Sequence, residues 1–337
     1  MSANIGRMMY TGQVPWHGLG KHVEKALTWA EAINEAGLNW QVAKSPVQFT
    51  PKSLGEVAKV FEGRSVTYRV DTGAPLGIVS DGFPVIQNEQ AGKVLDQVVG
   101  EVGAHYHTAG YLGEGQKVWM LIKLPGILRV VGDDVVEKYL LAANGHDGSL
   151  SFWIMETPIR VVCQNTLMAA IGQKNDKAFR AVHSAGLVLD VTAIREKLGY
   201  AAEKFNVLEQ AYQKMAKTVI RSSLSDQASP TEFFKRVIEY PELTKVAVVG
   251  EVPYKYEDEA STRMKNRLND LLELFETGKG SDLPGVKGTV WGAYNAVTEY
   301  ADYFNGKSNA GRAQSTLFGA GAQLKTRAFD EALALVK

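Results

Sequence analysis

The chain has 337 residues, 45% hydrophobic and 22% charged, enough for one large domain or two ordinary ones. Lysine plus arginine and aspartate plus glutamate both number 37, so the net charge is zero and no overall positive field marks a nucleic-acid partner. A single cysteine forms no internal disulfide, no run approaches the roughly 18 to 20 apolar residues of a membrane-spanning helix, and Met1–Arg7 has no apolar core behind its arginine; the expectation is a cytoplasmic protein.

Taken in order, Tyr10 to Gly20 is dense in glycine and proline and reads as an ordered loop anchored by Trp16. Thr28 and Glu31 form a capping box for a short helix with Ala30, Ile33 and Ala36 on one face, ended by Gly37. Strands are expected at Gln41–Phe49, Ser65–Asp71 and Gly77–Ser80, then a helix capped by Asn88 and carrying Val94, Leu95 and Val98. Tyr106–Tyr111 and Lys117–Leu124 flank the turn Leu112-Gly113-Glu114-Gly115 as a hairpin. Leu150–Met155 and Ile159–Cys163 read as another strand pair, with Pro158 at its turn or edge. Hairpins mixed with helices make residues 1–173 an α+β domain with a mixed or antiparallel sheet and packed helices.

From 174 to 337 the apolar spacing is helical, an α-helical region packed on the first. Leu187, Val191, Ile194, Leu198, Ala201, Phe205, Leu208, Tyr212, Met215 and Val219 make a heptad stripe, hence a long helix at about 190–220, weakened at Gly199. Further stripes follow: a short helix opening at Thr231, then Met264, Leu268, Leu271 and Phe275, then Trp291, Tyr294, Val297, Ala301 and Phe304, and a last helix over Ala322–Leu335. The long stripe is covered either by these partners or by another copy of the chain.

Chemistry gathers at the seam between the two patterns, Thr157-Pro158-Ile159-Arg160-Val161-Val162-Cys163-Gln164-Asn165-Thr166-Leu167. Cys163 sits among β-branched neighbours, the setting of a buried, inert thiol. His105 and His107, two apart on a strand, share a face but lack a clear third metal ligand, and His146-Asp147 lies in an ordinary turn sequence. With no Gly-x-Ser-x-Gly elbow, Walker loop or dinucleotide fingerprint, no catalytic residue, metal or cofactor is expected. The basic residues say more. Arg160, Lys174, Lys177 and Arg180 concentrate positive charge at the seam, and Arg312, Lys325 and Arg327 lie in Gly-, Ala- and Ser-rich surroundings where backbone approaches a ligand closely. Singly, each is also what solvated surface charge looks like.

The Pro-Trp-His-Gly-Leu-Gly loop at 15 to 20, the runs Asp71-Thr72-Gly73 and Val79-Ser80-Asp81-Gly82-Phe83, the seam from Arg160 to Leu167, and Trp291-Gly292-Ala293-Tyr294-Asn295-Ala296-Val297-Thr298-Glu299-Tyr300 together resemble the phage/plasmid-related proteins classed as domain of unknown function 932. The resemblance implies a gene carried on mobile elements and brings no activity with it. By analogy with phage recombination proteins, the expected function is homo-oligomeric binding and annealing of single-stranded DNA without catalysis, the basic patches of neutral subunits joining into one groove. The other readings are a host-interaction, anti-defence or replication accessory factor binding a protein partner, and a nucleic-acid-modifying enzyme using Cys163, His105, His107 or His146-Asp147.

Overall fold

The computed structural model describes residues 5–12, 19–24, 28–52, 57–99, 104–160, 165–166, 179–181, 191–220, 229–242, 244–247, 254–306, 312, 315–317 and 319–337. The chain opens with β1 (Ile5–Thr11), β2 (Lys21–Val23) and α1 (Trp29–Glu35), then makes a small antiparallel sheet of β3 (Val42–Phe49), β4 (Lys59–Arg69) and β5 (Pro75–Ser80). After α2 (Asn88–Val99) come β6 (His105–Leu112), β7 (Lys117–Val131) and β8 (Asp134–Gly145), then the short β9 (Phe152–Glu156), β10 (Ile159–Arg160), β11 (Asn165–Thr166) and β12 (Phe179–Ala181). The rest is α3 (Val191–Lys217), α4 (Pro230–Val237), the hairpin β13 (Thr244–Ala247) and β14 (Tyr254–Glu257), α5 (Thr262–Thr277), α6 (Val290–Glu299) running into a π-helical turn (Tyr300–Phe304), and α7 (Ala320–Leu335).

The fold is α+β. Among the described residues the main sheet has nine strands in the order β11-β10-β8-β7-β6-β1-β2, with β9 also on β8 and β12 on β9, and only β1 and β2 of these pair in parallel. Its centre is the β7–β8 hairpin, and β8 is a strand that the sequence pattern hides. Leu140, Leu141, Ala142 and Ala143 are all buried, so an apolar run stands where a half-exposed strand would alternate. The strand pair expected at 150–163 is corrected for the same reason. β9 pairs with Leu140 to Ala143 and β10 with Val136 and Glu137, so the two follow each other along β8 instead of pairing together.

One face of the sheet is covered by α1 and α2. The capping box of Thr28 and Glu31 is present, and Trp29, Ala32 and Ile33 point inward while Ala30 is exposed. Asn88 has another task than capping: its amide donates to the Leu38 carbonyl at 3.0 Å and its oxygen lies 3.0 Å from His146 Nε2. The opposite face holds a second apolar cluster around Trp119, Leu121, Tyr139, Leu141 and Trp153.

The third core is helical. Phe205, Leu208, Tyr212 and Met215 of α3 pack with Trp291, Tyr294 and Phe329, the Tyr212 ring lying 4.7 Å from Trp291 and 6.0 Å from Phe329. Leu128, Val130 and Val136, at the far end of the β7–β8 hairpin, enter the same cluster. This stretch of the heptad stripe is therefore covered within one chain. Val219, at 61% exposure, falls off it, and Leu187 lies outside the described residues. The two expected halves interpenetrate: β12 joins the main sheet from beyond residue 173, and β13–β14 is a hairpin inside the helical half.

Where sheet meets helices, Asp134 is buried with Arg160. The guanidinium donates to both Asp134 oxygens, at 2.8 and 3.0 Å from Nε, and the Trp291 indole donates to Oδ2 at 2.7 Å. Arg160 also donates to the carbonyls of Lys279 and Gly280, each at 3.2 Å, in the loop after α5.

Two outcomes follow from this packing. Asp134→Asn takes the counter-charge from the carboxylate that the buried Arg160 guanidinium grips and should lower unfolding free energy by about 3–5 kcal/mol in urea titrations. Phe205→Ala should cost about 3–5 kcal/mol while leaving particle mass unchanged by light scattering; a change in mass would mean the stripe is shared between chains.

Candidate phosphate-binding pocket

Of the seven cations singled out by sequence, the structure uses two for the interior. Arg160, at 1% exposure, is saturated by Asp134 and the loop carbonyls, and Lys325, at 0%, is paired with the equally buried Asp302. A desolvated cation survives only beside its counter-charge, so neither is presented to a ligand, which corrects both assignments. Lys174 and Lys177 lie outside the described residues, as does Cys163; Arg180 is placed on β12, opposite Trp153, with its side chain not among the described ones.

Arg312 and Arg327 fare differently, because they meet two arginines that carry no mark in the local sequence around the seam. Ser261 caps α5 by accepting from the Met264 amide, and Leu268, Leu271 and Phe275 fix its buried face. Arg263 and Arg267, one turn apart, thereby lie along the flank of that face, Arg263 exposed and Arg267 half-buried. The signal available was this i, i+4 spacing on an amphipathic helix.

The facing wall comes from the π-helical turn and α7. The turn closes with the Asn305 amide donating to the Tyr300 carbonyl at 2.9 Å, which sets Asn305 and Gly306 at the cavity rim. Arg312 donates to the Gly306 carbonyl at 3.1 Å. Ser315 accepts from the Gly321 amide at 3.0 Å, and a Cβ on Gly321 would lie 3.1 Å from the Ser315 carbonyl, closer than an ordinary contact. α7 thus starts hard against this segment, with Gly319 at its N-cap offering no side-chain oxygen to its amides.

Between these walls is a cavity of about 280 Å³ lined by Arg263, Arg267, Asn305, Gly306, Ser315, Ala320, Gln323, Leu324 and Arg327. No lining side chain is acidic. Arg263 has no ion pair or hydrogen bond among the described residues; Arg267 lies 5.8 Å from the Tyr300 ring centre, and its buried Nε has no hydrogen-bond partner. Arg327 gives one hydrogen bond to the Val237 carbonyl at 3.0 Å and sits 3.8 Å from the exposed Glu239. The first turn of α7, at Ala320, adds the positive end of a 16-residue helix. Forked donors, a helix N-terminus and no carboxylate in the lining suit a tetrahedral oxyanion.

A larger cavity, about 550 Å³ between α1 and α2, has Trp29, Ile33 and Trp40 in its wall and Glu89, Lys93 and Asp96 on its rim. One lysine against two carboxylates makes it a poor host for a polyanion.

The histidines form a third cluster. A bulge at His107 turns it beside Tyr139, ring centres 5.2 Å apart, while Tyr139 and Lys123 both donate to Glu137, at 2.7 and 2.6 Å. Burial raises Glu137, but the hydrogen bonds from Lys123 and Tyr139 outweigh it and hold it below the usual carboxylate range. Burial, then the Lys123 charge, push His107 down to about 4, and the same two causes lower His105. His107 Nδ1 has no hydrogen-bond partner. Among the described residues no group of three or more His, Cys, Asp or Glu could hold a metal ion. His146 is fully buried and pinned between Asn88 and backbone, its amide donating to the Gln116 carbonyl at 2.8 Å and its carbonyl accepting from Thr67 at 2.7 Å.

The fold is an α+β sheet braced by a helical bundle, and the candidate site is a basic pocket with no acidic side chain in its lining. The family model described as Domain of unknown function (DUF932) matches residues 75–323, more than half of the chain, and the protein belongs to that family. No curated protein and no solved structure matches it. No helix among the described residues is long and apolar enough to cross a membrane.

Because His107 binds its proton less tightly folded than unfolded, it contributes stability that is complete above pH 6.5 and is lost as pH falls toward 4, roughly 3 kcal/mol in all. Denaturant titrations at pH 7 and pH 4 should show His107→Gln losing less stability than wild type by about that amount; parallel losses would refute the assignment.

Proposed function

We propose that this protein binds single-stranded DNA through its phosphates, as a non-catalytic, annealing-type protein of a mobile element. The observation that carries the reading is the convergence of Arg263, Arg267 and Arg327 on one acid-free cavity at the start of α7, with Arg312 bonded to its rim. The cavity is the size of a phosphate group with its sugar attachments, and its three arginines suit phosphate oxygens, which carry no sequence information; contacts of that kind grip backbone whatever the sequence, as annealing requires. It also meets the objection of zero net charge, since the positive field is local to a lining with three arginines and no carboxylate. The pocket is complete in one chain, so homo-oligomer formation is a separate expectation, checked by particle mass with and without an oligonucleotide.

The test is fluorescence anisotropy with an unstructured labelled oligonucleotide at several salt concentrations. Arg263→Ala/Arg267→Ala should lower affinity about tenfold or more and flatten the salt dependence by about 0.7 for each phosphate no longer neutralised, similarly for all sequences. Inorganic phosphate should compete with the oligonucleotide for wild type. Wild-type affinity in the double variant would remove the pocket from the reading.

A further inference from the structure

We propose that the arginine cavity takes the terminal phosphate of a strand, a phosphate monoester, in preference to the diesters along its backbone. The inference rests on the single-strand reading above and narrows it. Two helices, α5 and α7, line the cavity, and α4 packs on both of them. Four cations of these three helices are matched by carboxylates outside the lining: Lys235 by Glu232 at 2.9 Å, Arg236 by Glu331 at 2.8 Å, Lys265 by Asp258 at 3.2 Å, and Lys325 by Asp302 in the interior. The remaining three, Arg263, Arg267 and Arg327, all line the cavity. Exposed ion pairs add little stability, but each cancels much of the field of its cation. Among the described residues of these helices the uncancelled positive charge is therefore a point and not a track.

That distinction bears on which phosphate fits. Internal phosphates come as a row of single charges, and gripping them takes a row of cations. A terminal phosphate stands alone, carries close to two charges at neutral pH and offers three strong acceptor oxygens. Three guanidiniums gathered on a diester, with its one charge on two free oxygens, would leave two charges uncompensated. On a monoester each fork has an oxygen of its own. Glu239, 3.8 Å from Arg327 and well exposed, offsets part of the one charge left over.

The donors are in place as well. Arg263 has no ion pair or hydrogen bond among the described residues, and the buried Nε of Arg267 has no hydrogen-bond partner. Ser315 Oγ accepts from the Gly321 amide and keeps its own proton to donate, while Asn305 and Gln323 add side-chain amides to the lining.

The experiment measures fluorescence anisotropy of the full chain with one unstructured oligonucleotide, labelled internally and made with a 5′-phosphate, a 3′-phosphate or hydroxyls at both ends. At pH 7.5 at least one phosphorylated strand should bind about tenfold or more tightly than the unmodified one. That preference should shrink about fourfold at pH 5.5, where most of the monoester, with a second pKa near 6, holds a proton. Taking the ratio to the unmodified strand cancels protonation elsewhere in the protein. Arg263→Ala/Arg267→Ala should bind all three strands alike. The strand comparison itself uses wild type, so it stands whether or not the variant folds. Equal binding of the three strands by wild type overturns the terminal-phosphate assignment; loss of affinity in the arginine variant would then leave the cavity standing as a backbone site. A preference that survives in the folded variant places the end-binding site elsewhere and overturns the assignment too. No binding of any strand overturns both readings.

Discussion

The Asp134 carboxylate is the point on which the rest of the structure turns. It opens β8 and accepts from a guanidinium on β10 and an indole on α6, 26 and 157 residues away in sequence. The same guanidinium holds two carbonyls of the loop after α5, and that loop donates from the Lys279 amide to Glu299 at 3.0 Å. Four segments are thus fixed around one desolvated charge, and burial raises Glu299, at its margin, above the usual carboxylate range. Apolar packing supplies most of the stabilisation, but it is not directional; the ion pair sets how the hairpin enters the bundle.

That arrangement explains what the sequence did and did not disclose. Local signals were readable where they were local: Thr28 with Glu31 at the start of α1, the hairpin at Leu112 to Gly115, and the stripe from Phe205 to Met215. β8 was not, because a strand covered on both faces has no alternation to read and Leu-Ala-rich composition suits helices equally. Missing β8 then misplaced β9 and β10, whose register depends on it. Among the site residues, Arg312 and Arg327 stood out by their small neighbours, while Arg160 and Lys325 were misread because a cation's counter-charge is set by the tertiary fold: Asp134 and Asp302 lie far off in sequence.

The protein therefore sorts its cations by depth. Arg160 and Lys325 are structural, each matched to one carboxylate in a dry interior, whereas Arg263, exposed, and Arg267, half-buried, stand on the flank of a helix that packs through Leu268, Leu271 and Phe275. Zero net charge is a sum over both populations and says little about either.

The widened turn at the end of α6 has a consequence for how such a chain can change over time. Every residue of α6 is buried, yet six residues after its last, Glu299, the same continuous segment contributes Asn305 to an open cavity. Each residue gained or dropped in a helix rotates whatever comes after it by about 100°. A single added position is therefore a pivot: it re-aims the tail of a helix while leaving the packed body ahead of it as it was, so a hydrophobic element acquires a working tip without its interior being redesigned.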